Sequence, residues 1–143
     1  MSVMRKTQPN PLYIVLDHTA DLAIEVWGNS LEDLFANAAA GMFAQMADLA
    51  QVPVSVRRKI RVEGDDSETL LVAWLSELLY LREVNREAYT QFEVRFPMRG
   101  KLDGVAIGGP WRAFDRPVKA ATYHGLMIEH KDGRYQATII FDV

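Results

Sequence analysis

The sequence contains no cysteine. The fold therefore has no disulfide, and no thiolate is available to bind a metal or to attack a substrate. Positive charge is not in excess either, because 16 lysines and arginines stand against 19 acidic residues, a formal net charge of -3. A general nucleic-acid coat needs a broad basic surface, so this composition argues against that class of protein and leaves only a local basic patch open.

Long apolar runs are also missing. No stretch approaches the roughly 20 apolar residues of a membrane helix, and residues 1–11 lack the apolar core of a signal peptide. We therefore expect a soluble, cytoplasmic protein. A chain of 143 residues would give two domains only small cores. The sequence predicts a flexible N-terminal tail over residues 1–11 and a single domain over residues 12–143.

The familiar catalytic motifs are absent from the sequence. It has no phosphate-binding Walker A loop, no G-x-G-x-x-G, no H-E-x-x-H and no G-x-S-x-G. The spaced glycines Gly100, Gly104 and Gly108 are better explained by bends in a β segment than by a phosphate cradle. No enzyme class is therefore indicated by a short motif.

Two segments carry the apolar spacing of helices. Behind Ser30, which predicts an N-cap, apolar residues recur at intervals of three and four as far as Met46. The second helix is predicted to begin near Ser67, behind acidic residues that favour a helix N-terminus, and Trp74 belongs to its apolar stripe. Both patterns are typical of helices that pack on a core.

The remaining segments alternate in hydrophobicity and are strand-like. The predicted strands cover residues 12–16, 22–27, 54–62, 92–96, 119–129 and 135–143. Asp132-Gly133 predicts a hairpin between the last two. Residues 97–118 predict a turn-rich excursion with one strand around residues 102–107. The order of elements indicates an α+β two-layer domain, with two amphipathic helices packed on a mixed, largely antiparallel sheet.

One cluster that could carry chemistry is Asp17-His18-Thr19-Ala20-Asp21, which lies between two predicted strands. Aspartates often form turns through their side chains, and this structural reading is sufficient for the segment alone. Alternatively, a cation neutralises carboxylates that would otherwise repel one another and raise one pKa.

The last strand carries a second candidate feature. Asp142 is its only acid, and the terminal carboxylate of Val143 would lie beside it. Such hard oxygen donors suit Ca²⁺, Mg²⁺ or Mn²⁺ better than zinc. An acid at the tip of an apolar strand is, however, often only solvated. We expect the Asp17–Asp21 segment and the Asp142-Val143 end to meet in space.

Two basic features remain. Lys119 opens a β-rich run that also contains His124, and both are explained by ordinary strand positions unless the lysine faces the acidic cluster. The run Arg57-Arg58-Lys59, with Arg61, fits the solvated face of an edge strand. Binding of RNA, or of a partner's acidic surface, by this run stays open.

Taken together, these motifs resemble the archease family. The segments that carry the resemblance follow one another along almost the whole chain: residues 16–21, 28–30, 70–71, 74–75, 77–79, 118–124 and 139–143. Residues 1–11 and 85–117 match weakly. Each segment alone is unspecific, whereas the ordered series is specific.

The resemblance implies an archease-like fold and a divalent cation, most often described as calcium. It implies a protein cofactor without catalysis of its own, which promotes guanylylation and multiple turnover of an RtcB-type RNA ligase in tRNA splicing and RNA repair. Contact with RNA would then be indirect, through the ligase, and no membrane would be involved. By matching motif, Asp21, Asp142 and Val143 resemble metal ligands, and Lys119 resembles the family's functional lysine. Asp17 and His18 are expected to support the site or to add ligands.

Two other classes of function remain as alternatives. The first is a stand-alone metal-dependent phosphoester hydrolase, since acids and a lysine can position a metal-bound nucleophile. No clear general base is readable for it. The second is a chaperone or nucleic-acid-binding module, against which the acidic net charge weighs.

Overall fold

A computed structural model of the chain describes residues 12–16, 21–113 and 118–143. Two α-helices, a short 3₁₀ helix at Leu49–Gln51 and eight strands follow one another along this part of the chain. Their bounds are β1 Tyr13–Leu16, β2 Leu22–Gly28, α1 Leu31–Ala44, β3 Val56–Glu63, α2 Ser67–Asn85, β4 Glu87–Arg95, β5 Lys101–Pro110, β6 Ala120–Ala121, β7 Glu129–Lys131 and β8 Arg134–Asp142. The predicted flexible tail over residues 1–11 lies outside the described residues.

The strands form two separate sheets. One has the order β1-β2-β8-β6, with β7 also pairing β8, and the other has the order β3-β5-β4. Every strand pair of the described residues is antiparallel. The α+β class and the two helices are thus confirmed. The single mixed sheet of the sequence analysis is instead two antiparallel sheets, joined through the core around the helices.

Both helices begin as the sequence predicts. The Ser30 hydroxyl caps α1 by accepting a hydrogen bond from the N–H of Asp33 at 3.1 Å. The Asp66 carboxylate caps α2 by accepting from the N–H of Thr69 at 2.8 Å. This hydrogen bond to the backbone lowers the pKa of Asp66, because it stabilises the charged carboxylate. Arg86, in the left-handed conformation with φ 55°, ends α2.

The core is one continuous cluster to which both helices and both sheets contribute. Trp74 of α2 lies at its centre and is fully buried. Its indole N–H donates to the carbonyl oxygen of Phe35 in α1 at 3.0 Å. The ring of Trp74 also packs edge-on against Phe92 of β4. One side chain therefore ties the two helices to the three-stranded sheet.

The central strand β5 is longer than the sequence predicts. It spans ten residues rather than only residues 102–107, although it contains three glycines. A Cβ at Gly104 would lie 2.5 Å from Cζ3 of Trp74, and one at Gly108 would lie 2.0 Å from the carbonyl oxygen of Ala88. These glycines are therefore required by close packing, and the predicted turn-rich excursion is wrong over this range.

The C-terminal part of the fold contains the predicted hairpin. Asp132 and Gly133 both have positive φ, 55° and 76°, the conformation of a type I′ turn. The preceding β-rich run is less regular than predicted, because only β6 and the first residue of β7 within residues 119–129 are extended strand. In the described part of the chain, neither helix combines the length and apolar character needed to cross a bilayer.

Candidate metal-binding strand ends

Asp21 and Asp142 lie at the same end of the larger sheet. Leu22 and Phe141 are the last paired residues of β2 and β8, so continuing the antiparallel register by one position brings Asp21 opposite Asp142. Directly opposed residues in such a ladder have Cα atoms about 4.5–5.5 Å apart. Two acids that are distant in the sequence therefore adjoin the last paired residues of neighbouring strands, and both residues are exposed.

The short strand β6 flanks this pair on the other side. Ala120 is the partner of Asp142, and the N–H of Lys119 donates to the carbonyl oxygen of Asp142 at 2.8 Å. Thr122 adds two bonds to the carbonyl of Ile140, through its N–H at 3.0 Å and its hydroxyl at 2.9 Å. β8 thus runs between Asp21 and the segment that carries Lys119.

The buried residues next to the acids explain why the acids point away from the core. Leu22, Phe141 and Ala121 are cross-strand partners and are buried together. Because successive side chains of a strand alternate between faces, the next residues along β2 and β8 direct their carboxylates to the opposite face. The apolar row fixes the register, and the register fixes the positions of Asp21 and Asp142.

Val143 follows Asp142 and is 39% exposed. It offers further oxygen atoms beside the Asp142 carboxylate. Carboxylate and carbonyl oxygens are the donors that Ca²⁺ and Mg²⁺ prefer. The donor set of Asp21, Asp142 and Val143 is therefore chemically suited to a hard divalent cation.

The two acids alone do not complete a metal site. No group of three or more histidine or acidic side chains in residues 12–16, 21–113 and 118–143 is close enough to hold an ion. Asp17 and His18, which the sequence analysis assigns to the same cluster, fall outside the described residues. Along the chain they lie four and three residues before Asp21, between β1 and β2.

Lys119 also lines a groove on the side of α2. The groove has a volume of about 330 Å³, and its walls include Tyr80 and Val84 of α2 with Ala120 of β6. Tyr80 and Val84 are 60% and 59% exposed. Sequence analysis missed them, although two large apolar residues four apart on an otherwise polar helix face could have indicated an exposed surface.

A second charged group lies in the smaller sheet. The Arg58 guanidinium donates to both carboxylate oxygens of Glu87, at 2.9 and 2.6 Å, and the Tyr89 hydroxyl donates to the same carboxylate at 2.8 Å. Hydrogen bonds from Arg58 lower the pKa of Glu87, and burial raises the pKa of Tyr89. Arg58 is thus a structural residue and does not belong to the solvated face predicted for the basic run.

The sequence model of the Archease protein family (MTH1598/TM1083) matches residues 13–143. The chain is 36% identical over 135 residues to a protein archease of Methanopyrus kandleri, covering 90% of this chain and 96% of the relative. It is 35% identical over 135 residues to a protein archease of Archaeoglobus fulgidus, covering 92% and 98%.

Two solved structures share the fold. The solution structure of protein 1598 from Methanobacterium thermoautotrophicum superposes with a TM-score of 0.77 at 32% identity, over 92% of this chain and 99% of that one. The crystal structure of an archease, described as a possible chaperone, from Thermotoga maritima has a TM-score of 0.63 at 20% identity, over 90% and 94%.

Proposed function

Because the chain belongs to the archease family, we propose that it is a metal-binding activator of an RtcB-type RNA ligase. In this role it promotes guanylylation of the ligase and multiple turnover in tRNA splicing and RNA repair, and it catalyses no reaction itself. The observation that supports the proposal is the pairing of β2 with β8 and of β8 with β6, because it brings the strand ends that adjoin Asp21, Asp142 and Lys119 to one end of the sheet. Each of these three residues lies in a segment that carries the resemblance to the archease family: residues 16–21, 118–124 and 139–143.

The proposed metal ligands are Asp21, Asp142 and Val143, with Asp17 and His18 as support or additional ligands. Two carboxylates on neighbouring strands repel each other unless a cation or a proton intervenes. A bound divalent cation, Ca²⁺ in our proposal, supplies that positive charge and fixes the strand ends. Asp142 itself is held by the cross-strand hydrogen bond from Lys119, so its carboxylate is presented from an ordered backbone.

Lys119 has a different role in this proposal. A protonated lysine cannot bind a cation, whereas its ammonium group can contact a phosphate or a carboxylate. The residue is exposed and lines the groove beside α2, which leaves it accessible to a partner. We infer that it contacts the nucleotide phosphate or an acidic group in the ligase.

A reconstitution with the cognate ligase tests the proposal. Purified ligase is incubated with GTP and Mn²⁺, and the guanylylated ligase is followed with and without this protein. We expect faster guanylylation with the wild-type chain and loss of that effect in Asp142→Asn and Lys119→Ala. If the wild-type chain leaves the rate of ligase guanylylation unchanged, the proposed function is wrong.

Assays of the protein alone separate this role from that of a stand-alone hydrolase. The purified chain is incubated with Ca²⁺, Mg²⁺ or Mn²⁺ and with phosphomonoester, phosphodiester and RNA substrates. We expect no turnover with any of them. Steady hydrolysis that Asp142→Asn abolishes would instead favour the phosphoester hydrolase.

A further inference from the structure

The outer face of the three-stranded sheet is not covered by any element of the described chain. In the antiparallel register, alternate residues of β3, β5 and β4 share this face. Five of them are cationic and three are acidic: Arg57, Lys59, Arg61, Arg95 and Lys101, with Glu63, Glu93 and Asp103. The opposite face of the sheet carries Ile60 and Ala106 and packs on the core. We call the exposed side the charged sheet face.

The charged sheet face has an excess of positive charge, whereas the whole chain has a net charge of -3. Four of its five cations have an acidic neighbour, but those pairs are loose, with N–O separations of 3.3–3.7 Å. Asp103 forms ion pairs with two arginines, Arg61 and Arg95. Exposed pairs of this kind contribute little to stability, so the guanidinium groups are available to a partner.

Lys59 lies midway along the edge strand β3, between Arg57 and Arg61. Its cross-strand partner is Val105, and the next residue across the sheet is Glu93. No hydrogen bond or ion pair joins the Lys59 side chain to any other described residue. Together with Arg61, Arg95 and Val105, it lines a surface depression of about 410 Å³.

From this arrangement we propose that the charged sheet face docks an acidic protein surface, which under the proposed function is a surface of the ligase. Charge complementarity gives the sign of the partner, because the face presents more cations than acids. The interleaved carboxylates Glu93 and Asp103 decide the class of partner. They would repel a continuous phosphodiester backbone, but they fit a protein surface that carries a few cations among its acids. No residue of this face is aromatic, so the stacking platform of single-strand binders is missing.

The inference concerns a sheet other than the one that carries Asp21, Asp142 and Lys119. It rests on the proposed function for the identity of the partner. The charged sheet face captures and orients the ligase through long-range attraction, and the strand ends of the larger sheet act on the captured ligase. Loss of positive charge from the charged sheet face should therefore slow association with the ligase. The activation reached when the ligase is saturated with this protein should be unchanged.

Lys59→Glu and Lys131→Glu form a matched pair of variants for the test. Both lysines are exposed strand residues and both substitutions change the charge by the same amount. Lys131 lies in β7, where it pairs Arg134 at the opposite end of β8 from Asp142. Arg61→Glu provides a second variant on the charged sheet face. Circular dichroism melts identify any variant that does not fold.

The association rate with the purified ligase is measured by stopped flow at low salt and again at high salt. Electrostatic steering changes association rates by about 10- to 1000-fold, so we expect Lys59→Glu and Arg61→Glu to reduce the rate roughly tenfold at low salt. The difference should shrink at high salt because exposed charges are screened. Lys131→Glu should stay within about twofold of wild type, since its charge lies outside the docking surface.

The outcomes separate the inference from the proposed function. If the wild-type chain binds and activates the ligase but Lys59→Glu and Arg61→Glu associate normally, the docking surface is wrong and the proposed function stands. Equal slowing by Lys131→Glu would assign the effect to net charge and overturn the inference. A wild-type chain that does not bind the ligase would contradict both. If the two variants lose affinity only for a labelled single-stranded RNA, the face binds nucleic acid instead and the proposal fails.

Discussion

The carbonyl oxygen of Asp142 accepts a hydrogen bond from the N–H of Lys119 at 2.8 Å. This single contact joins a candidate metal ligand to the candidate functional lysine through the backbone. It holds the two backbone segments side by side, whereas the Lys119 side chain lines the groove beside α2. We consequently expect a substitution at either residue to reduce activation of the ligase, but through different physical effects.

Calcium titration of Asp142→Asn and Lys119→Ala tests that difference. Asparagine keeps the shape of the Asp142 side chain but removes its charge, so cation affinity should fall by about tenfold or more. Lys119→Ala should bind calcium as the parent does, or slightly more tightly once a nearby positive charge is gone. Isothermal calorimetry on proteins matched by circular dichroism gives both affinities. Unchanged calcium binding by Asp142→Asn would mean that the metal site is wrongly assigned.

Trp74→Ala should destabilise the protein by roughly 3–5 kcal/mol, the usual cost of truncating a large buried aromatic. The residue is fully buried, and its indole N–H also bonds the carbonyl of Phe35. Trp74→Phe is the intermediate variant, because it keeps one aromatic ring but removes the indole N–H and part of the ring volume, at a cost of about 1–3 kcal/mol. Urea unfolding measures both. A midpoint for Trp74→Ala near that of wild type would contradict the buried position.

Gly104→Ala should destabilise by about 1–3 kcal/mol, because overpacking of a tight interior forces shifts in its neighbours. The added Cβ would lie 2.5 Å from Cζ3 of Trp74. Combining it with Trp74→Phe removes the colliding ring atoms. A double-mutant cycle should therefore show that the two substitutions together cost less than the sum of their separate effects. If the two destabilisations simply add, contact with Trp74 is not the reason why Gly104→Ala destabilises the protein.

Arg58→Met should cost about 3 kcal/mol at neutral pH, because it leaves the Glu87 carboxylate without its cation. Glu87 is only 5% exposed. Its pKa is lowered in the fold below the ordinary 4.5, so its stabilising contribution is fully present above pH 4.5 and is lost as pH falls through the lowered value. The difference in the free energy of unfolding between Arg58→Met and wild type should consequently become smaller in acid.

Urea unfolding at neutral pH and at about pH 3.5 measures that gap, with Arg57→Met as the matched control. Arg57 lies on the exposed face, and its nearest acid, Glu93, is 3.7 Å away. The control should change stability by about 0.5 kcal/mol or less at either pH. A gap for Arg58→Met that is constant with pH would argue against the ion pair.

The elements predicted correctly from the sequence are those fixed by local chemistry. The cap at Ser30 and the turn at Asp132-Gly133 each depend on a few adjacent residues. β5 could not be predicted in full, since glycine is disfavoured in strands and only the approach of Trp74 explains Gly104. The division of the strands into two sheets could not be predicted from the sequence either, because local periodicity does not reveal which distant strands pair.

In the candidate site, too, the residue types could be predicted from the sequence, whereas their arrangement could not. The types of residue in the site, acids and a lysine at strand boundaries, could be read from the sequence and from its family resemblance. The adjacency of Asp21 and Asp142 depends on the pairing of β2 with β8, which no local pattern specifies. The exposed groove beside Lys119 depends on how α2 lies against β6. The ligand roles of Asp21, Asp142 and Val143 and the role of Lys119 stay predictions, as do those of Asp17 and His18, which lie outside the described residues.

A multiple-turnover ligation assay, with the cognate ligase in excess over this protein, tests whether the chain activates the ligase. The chain is added at a small ratio to the ligase, with GTP, Mn²⁺ and an RNA that has suitable ends, and the joined product per ligase is counted over time. We expect many turnovers with the wild-type chain and far fewer without it, because an activator would be recycled between ligase molecules. Joining that is the same with and without the chain would rule out the proposed activation of the ligase.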